Sequence, residues 1–376
     1  MARHKKIKVS PIIFVIIVIV AAIIFACYYF GLFDSAISFV KSKLEKEDDN
    51  KSSNTDVLEF GDGELNICFL ELGNKYTGDS IYIKAGDTDI LIDAGSRKSS
   101  SESIAEYLDQ YVTDGKIEYV IATHAHQDHI AGFVGTKSSP GIFSRYECEI
   151  IIDFPLHNST SQIYQDYVTE RGLEIEEGAK HYTALECWNN ENGAQRSYQL
   201  TSDIKMDILY NYYYEHETSD ENDYSVCVLF THGDRKFLFT GDLEASGESY
   251  LVDYNELPEV YLFKAGHHGS YTASTDKLLS VIKPKVVCVC CCCGSDEYTE
   301  NVENMFPSQA FVDRVFKYTK EVYVTTIISD SEIGFESMNG TIVVSSTKDS
   351  ISVNCSNNNT WFIDTTWFKE NRKWLE

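Results

Sequence analysis

The segment Thr123–His129 holds the densest set of metal-binding side chains in this sequence. It reads Thr-His-Ala-His-Gln-Asp-His and directly follows the apolar run Ile117–Ala122. Three imidazoles and one carboxylate therefore lie in a loop at the end of a predicted strand. Imidazole nitrogen combined with carboxylate oxygen suits zinc, manganese or iron better than calcium or magnesium. We interpret the segment as a metal site and not as an ordinary solvated loop.

Two later apolar runs also end in residues that can bind metal. The run 236–240 leads to Asp242, and the run 260–264 leads to His267 and His268. If these strand ends meet at one edge of the fold, rigid elements fix a cavity with several ligands.

Short apolar runs separated by Gly, Asp and Asn predict a strand-rich domain over residues 63–355. The predicted strands are Leu65–Leu72, Ser80–Lys84, Asp89–Ile92, Ile117–Ala122, Ile150–Asp153, Ser225–Phe230, Lys236–Phe239, Val260–Phe263, Val286–Cys292, Val322–Ile327 and Thr341–Ser345. Helical patterns cover Ser101–Tyr111, Thr275–Ile282 and Pro307–Tyr318. This mixture indicates two packed sheets covered by helices. One run ends at Asp93, which we interpret as a residue that orients a ligand.

These motifs together resemble the metallo-β-lactamase fold, and within it the hydrolase domain of ComEC-type competence proteins. The motifs are His-x-His-x-Asp-His at 124–129, Thr-Gly-Asp at 240–242, Gly-His-His-Gly-Ser at 266–270, Gly-Asp-Ser at 78–80, Ile-Asp-Ala-Gly at 92–95 and Asn-Asp-Tyr-Ser at 222–225. The resemblance covers about residues 63–345 and implies an α+β, four-layer αββα sandwich. It weakens after Gly294, where the family usually has Asn-x-Tyr-x-His-Pro and this chain has only Phe306-Pro307.

The resemblance implies a centre of two divalent metal ions, zinc or manganese. The implied ligands are His124 and His126 for one ion, Asp128, His129 and His267 for the other, and Asp242 as a bridge between them. Two such ions about 3.5–4 Å apart activate a water and stabilise the attacking and leaving oxygens. Asn222 and Ser225 stand where many family members have a further histidine. His157 or His181 could substitute for it, although each is better explained as a surface residue.

Asp128 and His268 are the predicted catalytic residues. Asp128 acts through the metal, and His268 contacts the leaving group as an acid or hydrogen-bond donor. The alternative interpretation is that His268 is a packed histidine without a catalytic role. Ser270 is better explained by a turn or helix cap than by substrate contact.

Residues 11–33 form an apolar segment without a charged side chain. At about 1.5 Å per residue, such a segment can cross a hydrocarbon core of roughly 30 Å. Its basic flank contains Arg3, Lys5, Lys6 and Lys8, which predicts a cytoplasmic N-terminus at 1–10. Residues 34–62 then form a polar stalk, and the catalytic domain is extracytoplasmic on a single-pass protein of the cell membrane. A cleaved signal peptide is the alternative, but the segment is longer than a typical signal core.

The chain is strongly acidic, with a formal net charge of -26. The first 33 residues contribute +4, so the remainder carries -30. A domain of this charge repels polyanions, and the sequence has no basic patch. Nucleic acid is therefore a possible but disfavoured partner, because bound cations can offset only the local field. The oligomeric state stays open.

Five of the eleven cysteines lie in Cys288–Cys293, without the spacing of a structural zinc site. We interpret this run as a buried strand that uses thiols as small apolar side chains. A thiol metal or redox site is the alternative. Residues 356–376 form a C-terminal tail without an assigned role.

The sequence thus predicts a membrane-anchored hydrolase that uses a metal-activated water. Its expected substrate is a phosphodiester, either nucleic acid or a phosphorylcholine-type ester. The alternatives are a β-lactam or lactone hydrolase of the same fold and a non-catalytic surface binding module. The choice of substrate rests on analogy, because one fold hosts many chemistries.

Overall fold

The computed structural model describes residue 60 and residues 64–374. The chain divides into two units, Met1–Leu58 and Glu59–Glu376. The predicted cytoplasmic N-terminus, the transmembrane helix at 11–33 and most of the stalk lie outside the described residues. Among the helices of the described residues, none has the length and apolarity needed to cross a membrane.

The described part of the chain alternates strands and helices. The strands are β1 Leu65–Phe69, β2 Ile81–Ala85, β3 Thr88–Ile92, β4 Lys116–Ile121, β5 Glu147–Asp153, β6 Lys180–Thr183, β7 Ser197–Gln199, β8 Ile204–Ile208, β9 Val228–His232, β10 Arg235–Phe239, β11 Leu262–Lys264, β12 Val286–Cys293, β13 Val322–Ile328, β14 Phe335–Ser337, β15 Ile342–Ser346 and β16 Ile351–Cys355. The α-helices are α1 Ser100–Leu108, α2 Gln127–Val134, α3 Gln162–Glu177, α4 Ala184–Asn189, α5 Ala245–Tyr254, α6 Asp276–Ile282, α7 Gln309–Val315 and α8 Thr366–Asn371. Short 3₁₀ turns cover Tyr212–Tyr214, Glu221–Tyr224, Gly266–Gly269 and Phe362–Asp364.

The strands form two eight-stranded mixed sheets. The first has the order β16-β15-β1-β2-β3-β4-β5-β6, and the second has the order β14-β13-β12-β11-β10-β9-β8-β7. In the first sheet β3, β4, β5 and β6 run parallel, and in the second β10, β11, β12 and β13 do. The carboxyl ends of β3 and β4 thus share one sheet edge, as do those of β10 and β11.

Apolar residues of both sheets face each other in one buried cluster. Phe69 of β1 lies 6.2 Å from Phe239 of β10, measured between ring centroids. A second cluster covers the outer face of the second sheet, where Leu251, Leu278 and Phe311 of its helices pack. The predicted arrangement of two packed sheets covered by helices is confirmed.

The cysteine run forms strand β12, and every one of its residues is buried. Cys288 and Cys290 belong to the cluster between the sheets, whereas Cys291 and Cys293 belong to the outer cluster. All five thiols are free. Burial raises their pKa values above the usual range, so the thiols stay protonated. The predicted buried strand of small apolar thiols is confirmed.

The C-terminal tail packs on the domain and has a structural role. Phe362 and Phe368 are buried in the outer cluster. The Arg372 guanidinium donates hydrogen bonds to the carbonyls of Pro307 and Met305, at 2.8 and 2.7 Å. The tail therefore fixes the loop that carries Phe306 beside the candidate site.

Candidate metal centre

Four strand ends bring the candidate residues to one place between the sheets. Asp93 follows β3, the His124–His129 loop follows β4, Asp242 follows β10, and His267 and His268 follow β11. The N–H of Val226 donates to the carbonyl of Thr123 at 2.9 Å and links the two sheets at this edge. Convergence of strand carboxyl ends thus positions side chains that are up to 175 residues apart in sequence.

Tight turns allow these loops to approach one another. Gly241 has φ of +54°, a conformation that residues with a Cβ rarely adopt. A Cβ at Gly78 would lie 2.6 Å from the carbonyl oxygen of Asp128. That closeness lets the N–H of Asp79 donate to the same carbonyl at 3.1 Å.

Ligand atoms of four side chains lie within 4.8 Å of one another, and we call them the four-ligand group: Asp128, His129, Asp242 and His268. Asp242 Oδ2 lies 3.1 Å from His129 Nε2 and 3.0 Å from His268 Nε2. Asp128 Oδ2 lies 3.5 Å from His268 Nε2. Two carboxylates and two imidazoles in this range are a ligand set of the kind that holds one divalent ion.

A carboxylate orients His129 within this group. Asp93 Oδ2 lies 2.7 Å from His129 Nδ1, so Nδ1–H donates to it and Nε2 is left for a ligand. Asp93 in turn accepts the N–H and the hydroxyl of Thr123, each at 2.7 Å. Asp93 has φ of +59°, a strained value at a functional edge. The orienting contact expected of Asp93 is present.

His268 is oriented in the same way by a backbone carbonyl. Its Nδ1–H donates to the carbonyl of Cys290 at 2.8 Å, which leaves Nε2 facing Asp242 and Asp128. Its side chain is fully buried. Sequence reasoning placed His267 in the ligand set and His268 on the leaving group, whereas the four-ligand group contains His268.

His267 lies at the mouth of the site. Its side chain is 18% exposed, and its Nδ1 lies 3.0 Å from Glu244 Oε1. Its Nε2 is 4.0 Å from Asp242 Oδ2. Both His267 and His268 have positive φ, +44° and +53°, which turns the two neighbouring imidazoles to different sides. This turn cannot be inferred from two adjacent histidines in a sequence.

His124 and His126, which we call the histidine pair, lie beside this group. Their nearest nitrogens, His124 Nε2 and His126 Nδ1, are 3.0 Å apart. The ring centroid of His124 is 4.1 Å from that of His129. His124 Nδ1 faces only hydroxyls, those of Thr123 at 3.2 Å and Ser225 at 3.5 Å.

Two charged residues that sequence reasoning left unassigned lie beneath the four-ligand group. Lys264 is buried, and its Nζ lies 2.5 Å from Asp79 Oδ2 and 3.3 Å from Asp242 Oδ1. Asp79 Oδ1 lies 3.2 Å from His268 Nδ1. Two features of the sequence point to these residues: Asp79 lies in the Gly-Asp-Ser motif, and Lys264 ends an apolar strand.

Burial and neighbouring charges shift the proton equilibria of these groups in opposite directions. Burial alone would lower the pKa of His129, but the carboxylates of Asp242 and Asp93 outweigh it and hold that pKa well above its usual value. The pKa of Asp242 is well below its usual value, because nearby cations, His129 foremost, outweigh burial. Burial, followed by the neighbouring imidazoles, lowers the pKa of His124. The four-ligand group therefore attracts positive charge more strongly than the histidine pair does.

The donor set fits a divalent metal ion. His268 Nε2 is buried between two carboxylates, yet it makes no hydrogen bond of regular geometry with any described residue. Buried polar atoms are almost always hydrogen-bonded. Metal ligands differ from hydrogen-bonded pairs because they direct their lone pairs at a shared cation and not at one another. The resident ion would be held by the four-ligand group.

A loop from the second sheet borders the mouth. The Tyr298 hydroxyl donates to Asp128 Oδ2 at 2.7 Å, while the residue as a whole is 50% exposed. Its neighbour Glu297 accepts from the N–H of Thr77 and from Arg97, each at 2.9 Å, which anchors the loop. Nothing in the sequence singled out Tyr298.

The remaining histidines and Ser270 take part in other contacts. His181 Nε2 lies 2.8 Å from Asp153 Oδ1, and His157 packs on Tyr164 with ring centroids 4.2 Å apart. The Ser270 hydroxyl accepts from the N–H of Thr272 in a local turn. Neither histidine belongs to a metal-capable group among the described residues.

The sequence matches the family model of the metallo-beta-lactamase superfamily at residues 73–142 and 216–293. These ranges include the four-ligand group and the histidine pair. Together with the two sheets and their strand-end site, the match shows that this chain has the metallo-β-lactamase fold. The predicted resemblance to the metallo-β-lactamase fold is confirmed.

A curated relative agrees with the ComEC-type resemblance. The chain is 27% identical over 118 residues to Recombination protein 2 of Haemophilus influenzae. The match covers 31% of this chain and 14% of that protein.

Solved structures include similar folds at low identity. The metallo-beta-lactamase fold protein YhfI from Bacillus subtilis is 13% identical with a TM-score of 0.40, covering 75% of this chain and 100% of that one. The short form of human tRNase Z is 15% identical with a TM-score of 0.34, covering 70% of this chain and 92% of that one. At these scores neither structure bears on the chemistry of the site.

Proposed function

We propose that this protein is a metal-dependent hydrolase of phosphodiesters. The observation that carries the proposal is the four-ligand group, with two carboxylates and two buried imidazoles whose free nitrogens face them. A divalent ion bound there would activate water at neutral pH and stabilise charge on the leaving oxygen. The relative named Recombination protein 2 supports nucleic acid as one phosphodiester substrate.

In this proposal the protein's own residues orient the ligands and receive the substrate. Asp93 and the Cys290 carbonyl fix the ring orientations of His129 and His268. His267 and Tyr298 are the polar side chains at the mouth, where they can donate to oxygens of the substrate. The roles suggested for His267 and His268 are therefore exchanged, with His267 as the residue that contacts the leaving group.

The negative charge of the domain favours a small or surface-linked phosphodiester over long nucleic acid. Long polyanions meet repulsion from a surface of this charge, and no basic patch counteracts it. A phosphorylcholine-type ester carries a single phosphodiester and a cationic group. Parallel assays with single-stranded DNA and with a phosphorylcholine ester distinguish the two, and dominant turnover of DNA would overturn this preference.

The test of the proposed function is hydrolysis of bis-p-nitrophenyl phosphate by the purified full-length chain. We expect turnover that chelation removes and that manganese or zinc restores. The Asp242→Asn variant should show no turnover. The control variant His232→Gln, which replaces a histidine that is hydrogen-bonded to Ser346, should retain turnover. Hydrolysis of a β-lactam or lactone but not of the phosphodiester would contradict the substrate class. Absence of all turnover in a folded, metal-loaded chain would favour a binding module.

We also propose that the apolar segment 11–33 anchors the chain in the cell membrane with its catalytic domain outside. The hydropathy of the segment and its basic flank support this orientation. Protease added to intact cells should remove the domain and leave a short membrane-bound fragment. Full protection of the domain until the cells are lysed would contradict the orientation.

A further inference from the structure

The two oxygens of the Asp242 carboxylate face different partners. Oδ2 faces the imidazoles of His129 and His268, at 3.1 and 3.0 Å. Oδ1 lies 3.3 Å from the ammonium of Lys264, which also contacts Asp79. A carboxylate that bridges two ions through both oxygens would have to displace this buried ammonium. Of the two Asp242 oxygens, only Oδ2 is therefore directed at the other members of the four-ligand group.

Lys264 also changes the charge that the centre presents to cations. The metal-capable groups contain four carboxylates, those of Asp79, Asp93, Asp128 and Asp242. The Lys264 ammonium offsets one of these charges, so three formal negative charges are left when the imidazoles are neutral. One divalent ion would reduce them to one. These groups therefore attract a second divalent ion less strongly than the first.

The histidine pair is an incomplete ligand set. Among the described residues, no third His, Cys, Asp or Glu atom joins it in a group as compact as the four-ligand group. The neighbouring polar side chain is Asn222, which follows Glu221, and Glu221 accepts the N–H of Ala125 between the two histidines.

Asn222, next to Glu221 in the chain, is a candidate for the missing donor. It is 7% exposed, and its Oδ1 has no hydrogen-bond partner among the described residues. Its Nδ2 donates to Glu244 Oε1 at 3.2 Å. A neutral amide oxygen is a poorer ligand for zinc than an imidazole. The chain therefore offers a second ion two good ligands and one weak one.

We propose that the centre binds two ions with very different affinities, one tightly at the four-ligand group and one weakly at the histidine pair. Lys264 is a positioning residue in this arrangement. Its ammonium holds Asp242 Oδ1 and offsets charge that would otherwise attract the second ion. The inference rests on the proposed metal-dependent function and adds a separate claim about loading.

The first experiment measures metal loading of the full-length chain without substrate. The purified chain is stripped with a chelator, titrated with manganese by calorimetry, and analysed for metal by mass spectrometry after gel filtration. We expect one retained ion per chain and a second binding event weaker on the order of 100-fold or more. Two retained ions, or two affinities within about tenfold, would overturn the inference.

Two variants locate the weak site. Asn222→His supplies a third imidazole and should strengthen the second binding event about tenfold or more while leaving the first unchanged. Asn222→Gln is the matched control and should leave both events unchanged. Lys264→Met should also strengthen the second event, provided that circular dichroism shows a folded chain. If Lys264→Met does not fold, Asn222→His decides alone, and an unchanged second event in that variant contradicts the inference.

These titrations separate the loading claim from the proposed function. A chain that retains one ion but hydrolyses no phosphodiester would support unequal loading and contradict the hydrolase. A chain that hydrolyses phosphodiesters with two equally retained ions would support the hydrolase and contradict unequal loading.

Discussion

Two members of the four-ligand group, Asp128 and His129, come from the same short loop as the histidine pair, yet the surroundings of the two sets differ. In the first, His129 is oriented by the Asp93 carboxylate and His268 by a backbone carbonyl. In the second, His124 Nδ1 faces only the hydroxyls of Thr123 and Ser225, at 3.2 and 3.5 Å. The comparison teaches that a metal-binding motif supplies candidate ligands, while residues from other strands decide which of them form a strong site.

Removal of ligands from each set should give the largest difference. Asp128→Ala or His129→Ala should abolish activity and weaken retention of the tight ion at least about 100-fold, because each removes a direct ligand. His124→Ala should leave the tight ion in place. Metal analysis after gel filtration measures both, with circular dichroism as the control for folding. Equal loss of the tight ion in His124→Ala and His129→Ala would remove the distinction between the two sets.

The orienting carboxylate gives the next largest effect. Asp93→Asn replaces an acceptor of the His129 Nδ1–H and should weaken binding of the tight ion about 10- to 100-fold. Asp153→Asn is a matched control, because Asp153 pairs with His181 away from the four-ligand group. Calorimetric titration of both variants checks the prediction, which fails if they behave alike.

The pH dependence of binding should also differ between the two sets. The pKa of His129 is raised in the ion-free chain, so its proton must leave when a metal binds. Affinity for the tight ion should therefore rise with pH, about tenfold per unit for each proton released, and fall as the solution becomes acidic. The pKa of His124 is lowered, so His124 holds no proton near neutral pH that an ion would have to displace. Titrations at pH 6, 7 and 8 test this, and a flat profile for the tight ion would contradict it.

The smallest predicted effect concerns the mouth of the site. Tyr298→Phe removes the hydrogen bond to Asp128 Oδ2 but leaves the direct ligands intact. We expect turnover of the phosphodiester to fall about three- to tenfold, the scale of the net contribution of one typical hydrogen bond. Metal content should stay at one retained ion. Tyr254→Phe, an exposed tyrosine on α5, is the control. A Tyr298→Phe chain that loses its ion would show that Tyr298 supports the metal site itself.

The sequence predicted the parts of the molecule that follow from hydrophobic patterning. Strand β12 with its cysteines and the strand ends before Asp93 and Asp242 were found in this way, because each is an apolar run followed by polar residues. Strands β6, β7, β8, β14 and β16 were missed. β8 alternates buried and half-buried residues over Ile204–Ile208, but the run is short and polar.

The details of the site depend on backbone geometry and long-range contacts that sequence patterns do not carry. The choice between His267 and His268 depends on two consecutive positive φ angles. The role of Lys264 depends on Asp79, which lies 185 positions earlier in the chain. Tyr298 reaches Asp128 from a loop that Glu297 anchors to Thr77 and Arg97, so its position depends on residues 200 or more positions earlier in the chain.

The most direct test of the central claim is anomalous X-ray scattering from crystals of the full-length chain grown with manganese. The account predicts one strong peak within ligand distance of Asp128, His129, Asp242 and His268, about 2.0–2.2 Å from their donor atoms. A strong peak held by His124 and His126 without the four-ligand group, or two peaks of equal height, would contradict it.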